Sequence, residues 1–155
     1  MSIEIVESPG PIDAALLEGF ERRLPATLPG DFRSFLLSTN GGFSHSYSLD
    51  YTSTAFGEQS TAIFLWGSLG APFKQNYFMS IEGVSESAKG LIPSGTIPIA
   101  SPESGHELIL LSLNRENYGA ILHYDDETAP EKATSKVAAS FAAFSDRLKL
   151  VRRRS

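Results

Sequence analysis

Three histidines, eighteen acidic side chains and no cysteine make up the chemically active inventory of this 155-residue chain. Without cysteine, thiol catalysis, disulfide scaffolds, Cys-ligated zinc and iron–sulfur clusters are all excluded. His106-Glu107 has no second histidine four residues after the first, so the helical zinc-hydrolase pattern is missing. Gly67-Ser68-Leu69-Gly70 lacks the Gly-x-Ser-x-Gly spacing that exposes a nucleophilic serine on a tight elbow. No glycine-rich loop followed by lysine is present to cradle phosphates, and no dinucleotide fingerprint. His45 falls on the same alternating face as Phe43 and Tyr47, the setting of a hydrogen-bonded structural histidine. His123 with Asp125 and Asp126 offers metal-ligating groups, but successive strand side chains point to opposite faces and no fourth ligand is suggested. The residues predict a protein that is not an enzyme, with no metal and no cofactor.

Charge is more informative. The net charge of −5 disfavours direct nucleic-acid binding, which depends on clustered cations. Residues 40–131 carry eleven acids against three bases, a balance of −8, and the run Asp125-Asp126-Glu127 is its densest point. Such a field suits a cationic partner. The one basic cluster, Arg147, Lys149, Arg152, Arg153 and Arg154, reads as a solvated tail beyond a last helix, with 151–155 as its end. The longest apolar run, Ala62 to Trp66, is far short of the roughly 18–20 residues a membrane-spanning helix needs. An acidic N-terminus without an apolar stretch predicts a cytoplasmic protein.

The elements that must hold these residues follow from periodicity. Ile12, Ala15, Leu16, Phe20 and Leu24 recur at helical offsets after Pro11, and Pro25 ends the helix. A second helix starts at Leu28-Pro29-Gly30-Asp31, places Phe32, Phe35 and Leu36 on a buried face, and stops at Asn40-Gly41-Gly42. From Phe43 to Tyr51 the period becomes two, predicting a half-buried strand; Ala62–Trp66 reads as its neighbour, bounded by the polar stretch from Glu58 to Thr61. Tyr77, Ile81, Val84 and Ala88 suggest a short helix. Residues 96–125 form a β-meander punctuated by Ser101-Pro102-Glu103-Ser104-Gly105 and by Asn114 to Gly119. Val137, Phe141, Phe144 and Leu148 predict a final helix. The expected architecture is α+β: two N-terminal helices, a central, mainly antiparallel sheet with a short helix, and a C-terminal helix, in one domain over residues 1–155.

The stretch from Leu24-Pro25 through Leu28-Pro29-Gly30-Asp31-Phe32-Arg33-Ser34-Phe35-Leu36 to Asn40-Gly41-Gly42 resembles the N-terminal signature of the SUKH superfamily of Smi/Knr-type immunity proteins. Ile97-Pro98-Ile99-Ala100, the Ser104-Gly105 turn, the strands 107–113 and 119–124, and the segment Val137 to Phe144 are similar to the later elements of that family. Residues 52–80 match least. The resemblance implies an immunity protein that neutralises a cognate toxin, frequently a nuclease, with a regulatory scaffold of the same fold as the alternative. The partner would be a basic protein domain rather than nucleic acid or membrane. Acidic and aromatic residues on strand faces and loops would then carry partner binding, and the charge pattern selects Asp50, Tyr51, Glu58, Trp66, Glu103, Asp125, Asp126 and Glu127. Oligomeric state is left open by the sequence.

Overall fold

The computed structural model describes residues 3–70 and 78–151. In chain order it contains β1 (Ile5–Glu7), α1 (Ala14–Glu21), α2 (Gly30–Thr39), β2 (Gly42–Ser53), β3 (Gly57–Trp66), α3 (Ile81–Ser87), β4 (Thr96–Pro102), β5 (Glu107–Ser112), β6 (Ile121–Asp125), β7 (Thr134–Ala138), α4 (Phe141–Arg147) and β8 (Lys149–Leu150). The fold is α+β. Strands pair in the order β1-β2-β3-β4-β5-β6-β7, with β8 also on β2, and every one of these pairings is antiparallel.

Helices α1, α2 and α4 supply Leu17, Phe20, Phe32, Leu36, Phe141 and Phe144 to the main core against one face of the sheet. Alternate strand residues meet them there: Leu49, Ile63, Ile99, Ile109, Leu111 and Ile121 are fully buried. The opposite face carries a smaller cluster of Leu110, Leu122, Tyr124 and Ala133. The sheet curls until the end of β2 reaches β7. There the Thr54 backbone N–H donates to Ser135 Oγ at 2.8 Å, and Thr54 Oγ1 donates to the Thr134 carbonyl at 2.9 Å.

Local chemistry explains the helix ends. Asp13 caps α1 by accepting from the Leu16 N–H, so Pro11 and Ile12 lie outside the helix. Asn40 ends α2 in the left-handed region at φ 53°. Gly41 follows at φ +61°, and a Cβ there would fall on the Gly67 carbonyl oxygen. Gly41→Ala is expected to cost about 2 kcal/mol or more from left-handed strain and backbone overlap combined. Gly90→Ala, at φ +86° with nothing within 4 Å of the added carbon, is the control and should cost about 1 kcal/mol. Urea midpoints of the two variants measure the contrast.

The structure departs from the sequence expectations at several points. The final helix does not begin at Val137: residues 134–138 form β7, with Ser135 and Val137 buried and Lys136 exposed. Helix α4 starts only after Ser140, whose side chain accepts from the Ala143 N–H. Strand β3 extends through the polar stretch 58–61, because Thr52, Tyr51, Asp50 and Leu49 supply ladder partners for it. Strands β1 and β8 were not anticipated, being too short to show a period. Helix α3 opens at a Ser80 cap, and Tyr77 lies outside the described residues. Phe35 is half-buried rather than buried, while Phe32 and Leu36 are fully enclosed. Arg147 and Lys149 are exposed but belong to elements rather than to a tail: Arg147 ends α4 and donates to the Val137 and Asp50 carbonyls, and Lys149 is in β8. Residues 152–155 lie outside the described residues.

Candidate functional site

Where the sheet curls, three loops converge: the β2–β3 turn, the β4–β5 turn and the β6–β7 turn. They enclose a cleft of about 690 Å³. Its floor is polar although it continues the apolar core face. Glu107 precedes Ile109 and Leu111 by two and four positions, and His123 follows Ile121 by two, so strand alternation turns both side chains inward. His123 Nε2 and Glu107 Oε1 lie 2.6 Å apart. Thr61 Oγ1 donates to Glu107 Oε2 at 3.1 Å, and Ser104 Oγ donates to the same oxygen. The Tyr51 ring stacks on His123 with centroids 4.2 Å apart. One carboxylate thus binds β3, β6 and the β4–β5 turn together.

Electrostatics follow from this geometry. Burial acts to raise the Glu107 pKa, but the hydrogen bonds from His123, Ser104 and Thr61 and the charge of His123 together hold it below the ordinary value. An ionised Glu107 accepts only, so His123 Nε2 carries the hydrogen between them. The Tyr51 hydroxyl is pushed up to about 12 by burial and by the charges of Glu107 and Asp125.

Serine, histidine and a carboxylate meet here, but their connectivity is not that of a nucleophile relay. Ser104 and His123 both bond to the carboxylate rather than to each other, so the imidazole is not placed to take the serine proton.

The rim is acidic. Glu103, Asp125 and Glu127 line it, with His106 between Asp125 at 3.9 Å and Glu127 at 3.8 Å. Asp125 Oδ1 accepts the Glu127 N–H at 2.9 Å, which sets the turn. Phe56, at the tip of the β2–β3 turn, is 65% exposed and closes one side.

The structure therefore brings together four of the residues selected from sequence, Tyr51, Glu103, Asp125 and Glu127, and separates the other four. Asp50 and Glu58 occupy β2 and β3 positions of opposite parity to Tyr51, facing away from the cleft floor. The Asp50 carboxylate lies 3.6 Å from Lys149 Nζ, and Asp50, Glu58 and Arg147 line one shallow groove. Asp126 points to the other side of its turn, into a separate groove. Trp66 is fully buried: its ring meets Phe35 and Phe144, and its Nε1 donates to Ser44 Oγ at 2.8 Å. A surface anchor role is excluded for it in this fold. Tyr51 is only 8% exposed, so it shapes the cleft floor instead of projecting toward a partner.

Sequence reasoning missed Glu107, Thr61, Ser104 and Phe56. A legible signal existed for Glu107, an acid at a core-facing position of an otherwise apolar strand. None existed for Phe56, whose exposure depends on the turn.

An antiparallel sheet packs α1, α2 and α4 against one face and carries an acid-rimmed cleft where its β2–β3, β4–β5 and β6–β7 turns meet. The sequence matches the model of the SMI1 / KNR4 family (SUKH-1) over residues 11–147, and the chain belongs to that family. The family is known for immunity proteins and is generally non-enzymatic. No curated protein sequence matches the chain. No helix among the described residues is long and apolar enough to cross a membrane.

Proposed function

We propose that this chain is a non-enzymatic immunity protein that acts in the cytoplasm, binds a cognate toxin and blocks its active cleft, the toxin carrying a basic nuclease domain. The observation supporting this reading is the acid-rimmed cleft with an exposed aromatic beside it. Carboxylates on the rim present the charge a nuclease expects of a phosphate backbone. Phe56 supplies the rigid apolar contact that charge alone lacks.

The test begins with a pull-down from the native cell, asking whether one toxin domain co-purifies. With that domain in hand, Glu103→Lys combined with Glu127→Lys is expected to slow association by about tenfold or more at low salt and to flatten its salt dependence. Both side chains are exposed, so thermal melting should stay near wild type. Phe56→Ala should act instead on dissociation, raising its rate by roughly 30-fold, as truncation of an interface aromatic does. Unchanged association, salt dependence and cell protection in the double reversal would overturn the acidic-mimic mechanism.

A further inference from the structure

The turn Asp125-Asp126-Glu127 is a ridge between two depressions. Asp125 and Glu127 face the acidic cleft, whereas Asp126 faces a groove of about 290 Å³ between α3 with its following turn and the outer face of β5 and β6. His106 lines both depressions, and the Asp126 N–H donates to its carbonyl at 2.9 Å. The groove walls are apolar: Ala88, Leu91 and Ile92 on one side, Leu108 and Tyr124 on the other. Leu91 stands 69% exposed over it. Glu107 also lines the groove, but its carboxylate is engaged by His123, Thr61 and Ser104; among the described residues Asp126 forms no ion pair, so its carboxylate has no cation paired with it.

Resting on the immunity reading above, we propose that the groove receives a large aliphatic side chain from the same partner, in a segment where the next residue is Lys or Arg and pairs with Asp126. Charge selects this occupant. A wholly apolar segment would desolvate the Asp126 carboxylate without compensation, and an acidic one would meet repulsion from all three acids of the ridge. The Tyr124 hydroxyl, held protonated by burial and by Asp126 and Asp125, lines the same wall and is free to donate to a backbone carbonyl of the bound segment. Occupied together, the two depressions let one partner straddle the ridge, which gives directional specificity that an acidic surface by itself lacks.

The probe is a capped peptide, acetyl-Gly-Leu-Arg-Gly-amide, titrated into the 15N-labelled full chain, with Leu-Glu and Ser-Arg versions as controls. The Leu-Arg peptide should shift the amides of Ala88, Leu91, Leu108, Tyr124 and Asp126, and both controls should bind at least tenfold more weakly. Leu91→Ser and Asp126→Asn should each weaken binding fivefold or more without changing the melt. Equal response to all three peptides overturns the proposal, as does a response confined to Phe56, Gln59 and Thr61 in the acidic cleft. Groove amides that move with protein concentration alone would identify a second copy as the occupant and also overturn it. If Leu91→Ser leaves cell protection intact while the Glu103 and Glu127 reversals abolish it, the groove proposal fails and the immunity reading stands. If no toxin is neutralised but the Leu-Arg peptide binds as expected, the groove chemistry stands and the immunity reading fails.

Discussion

Phe32→Ala is expected to destabilise the fold by about 3–5 kcal/mol, the range for removing a fully buried aromatic ring and leaving a cavity. Phe32 is 0% exposed, meets Phe141 edge-on at 5.2 Å and stacks on Phe35 at 6.1 Å. It therefore joins α2 to α4, two helices separated in sequence by β2 to β7. Collapse of the site is resisted from several sides, since Leu36, Phe141 and Phe144 are held by the strands beneath. A loss of that size is a large part of the roughly 5–15 kcal/mol by which domains are stable. Urea unfolding should show a large drop in midpoint with an unchanged slope. Phe35→Ala is the internal comparison: half-buried, it should cost clearly less, and equal losses would show that exposure does not rank these two rings.

Glu107→Ala is expected to cost about 3–5 kcal/mol, because it strips a buried hydrogen-bonded network of its shared acceptor and leaves several donors unpaired. His123, Ser104 and Thr61 would all lose the oxygen to which they are bonded. The same group makes stability depend on acid. The folded pKa of Glu107 lies below its ordinary value of 4.5. The unfolded chain therefore takes up its proton first as pH falls, and the carboxylate's contribution is complete above that value. It is then lost progressively as pH drops through the lowered folded value. Glu107→Gln should flatten this acid limb. An acid limb of unchanged steepness in Glu107→Gln would show that other carboxylates govern acid unfolding.

Local sequence determined much of the frame. The Asn40-Gly41-Gly42 stop, the switch from helical to alternating period at Phe43, and the turns of the meander are short-range signals. They depend on backbone conformations that only a few residue types adopt easily; the helix stop and the change of period are found where the sequence indicates them, whereas the first meander turn starts later than expected because Ser101 and Pro102 pair with β3 as the end of β4. Segments whose state depends on a distant partner were not legible. Thr134–Ala138 carries apolar residues compatible with either period, and it is a strand because the edge of β6 was open to it. Residues 58–61 are polar on both faces, and they are a strand because β2 is long enough to pair with them.

The candidate site divides in the same way. The order of charges along the sequence determined that the middle of the chain is acidic, and composition alone that thiol chemistry is absent. Only the tertiary structure decided which acids act together. The curl of the sheet brought the turn at Glu103 beside the turn at Asp125 and Glu127, while strand parity sent Asp50 and Glu58 elsewhere and the turn itself aimed Asp126 into another groove. Trp66 carries the same aromatic signal as Phe56, yet one is enclosed by helices from both ends of the chain and the other stands on a turn. Side-chain type is a local property; burial and convergence come from contacts between residues far apart in sequence, and those are settled only when the chain closes on itself.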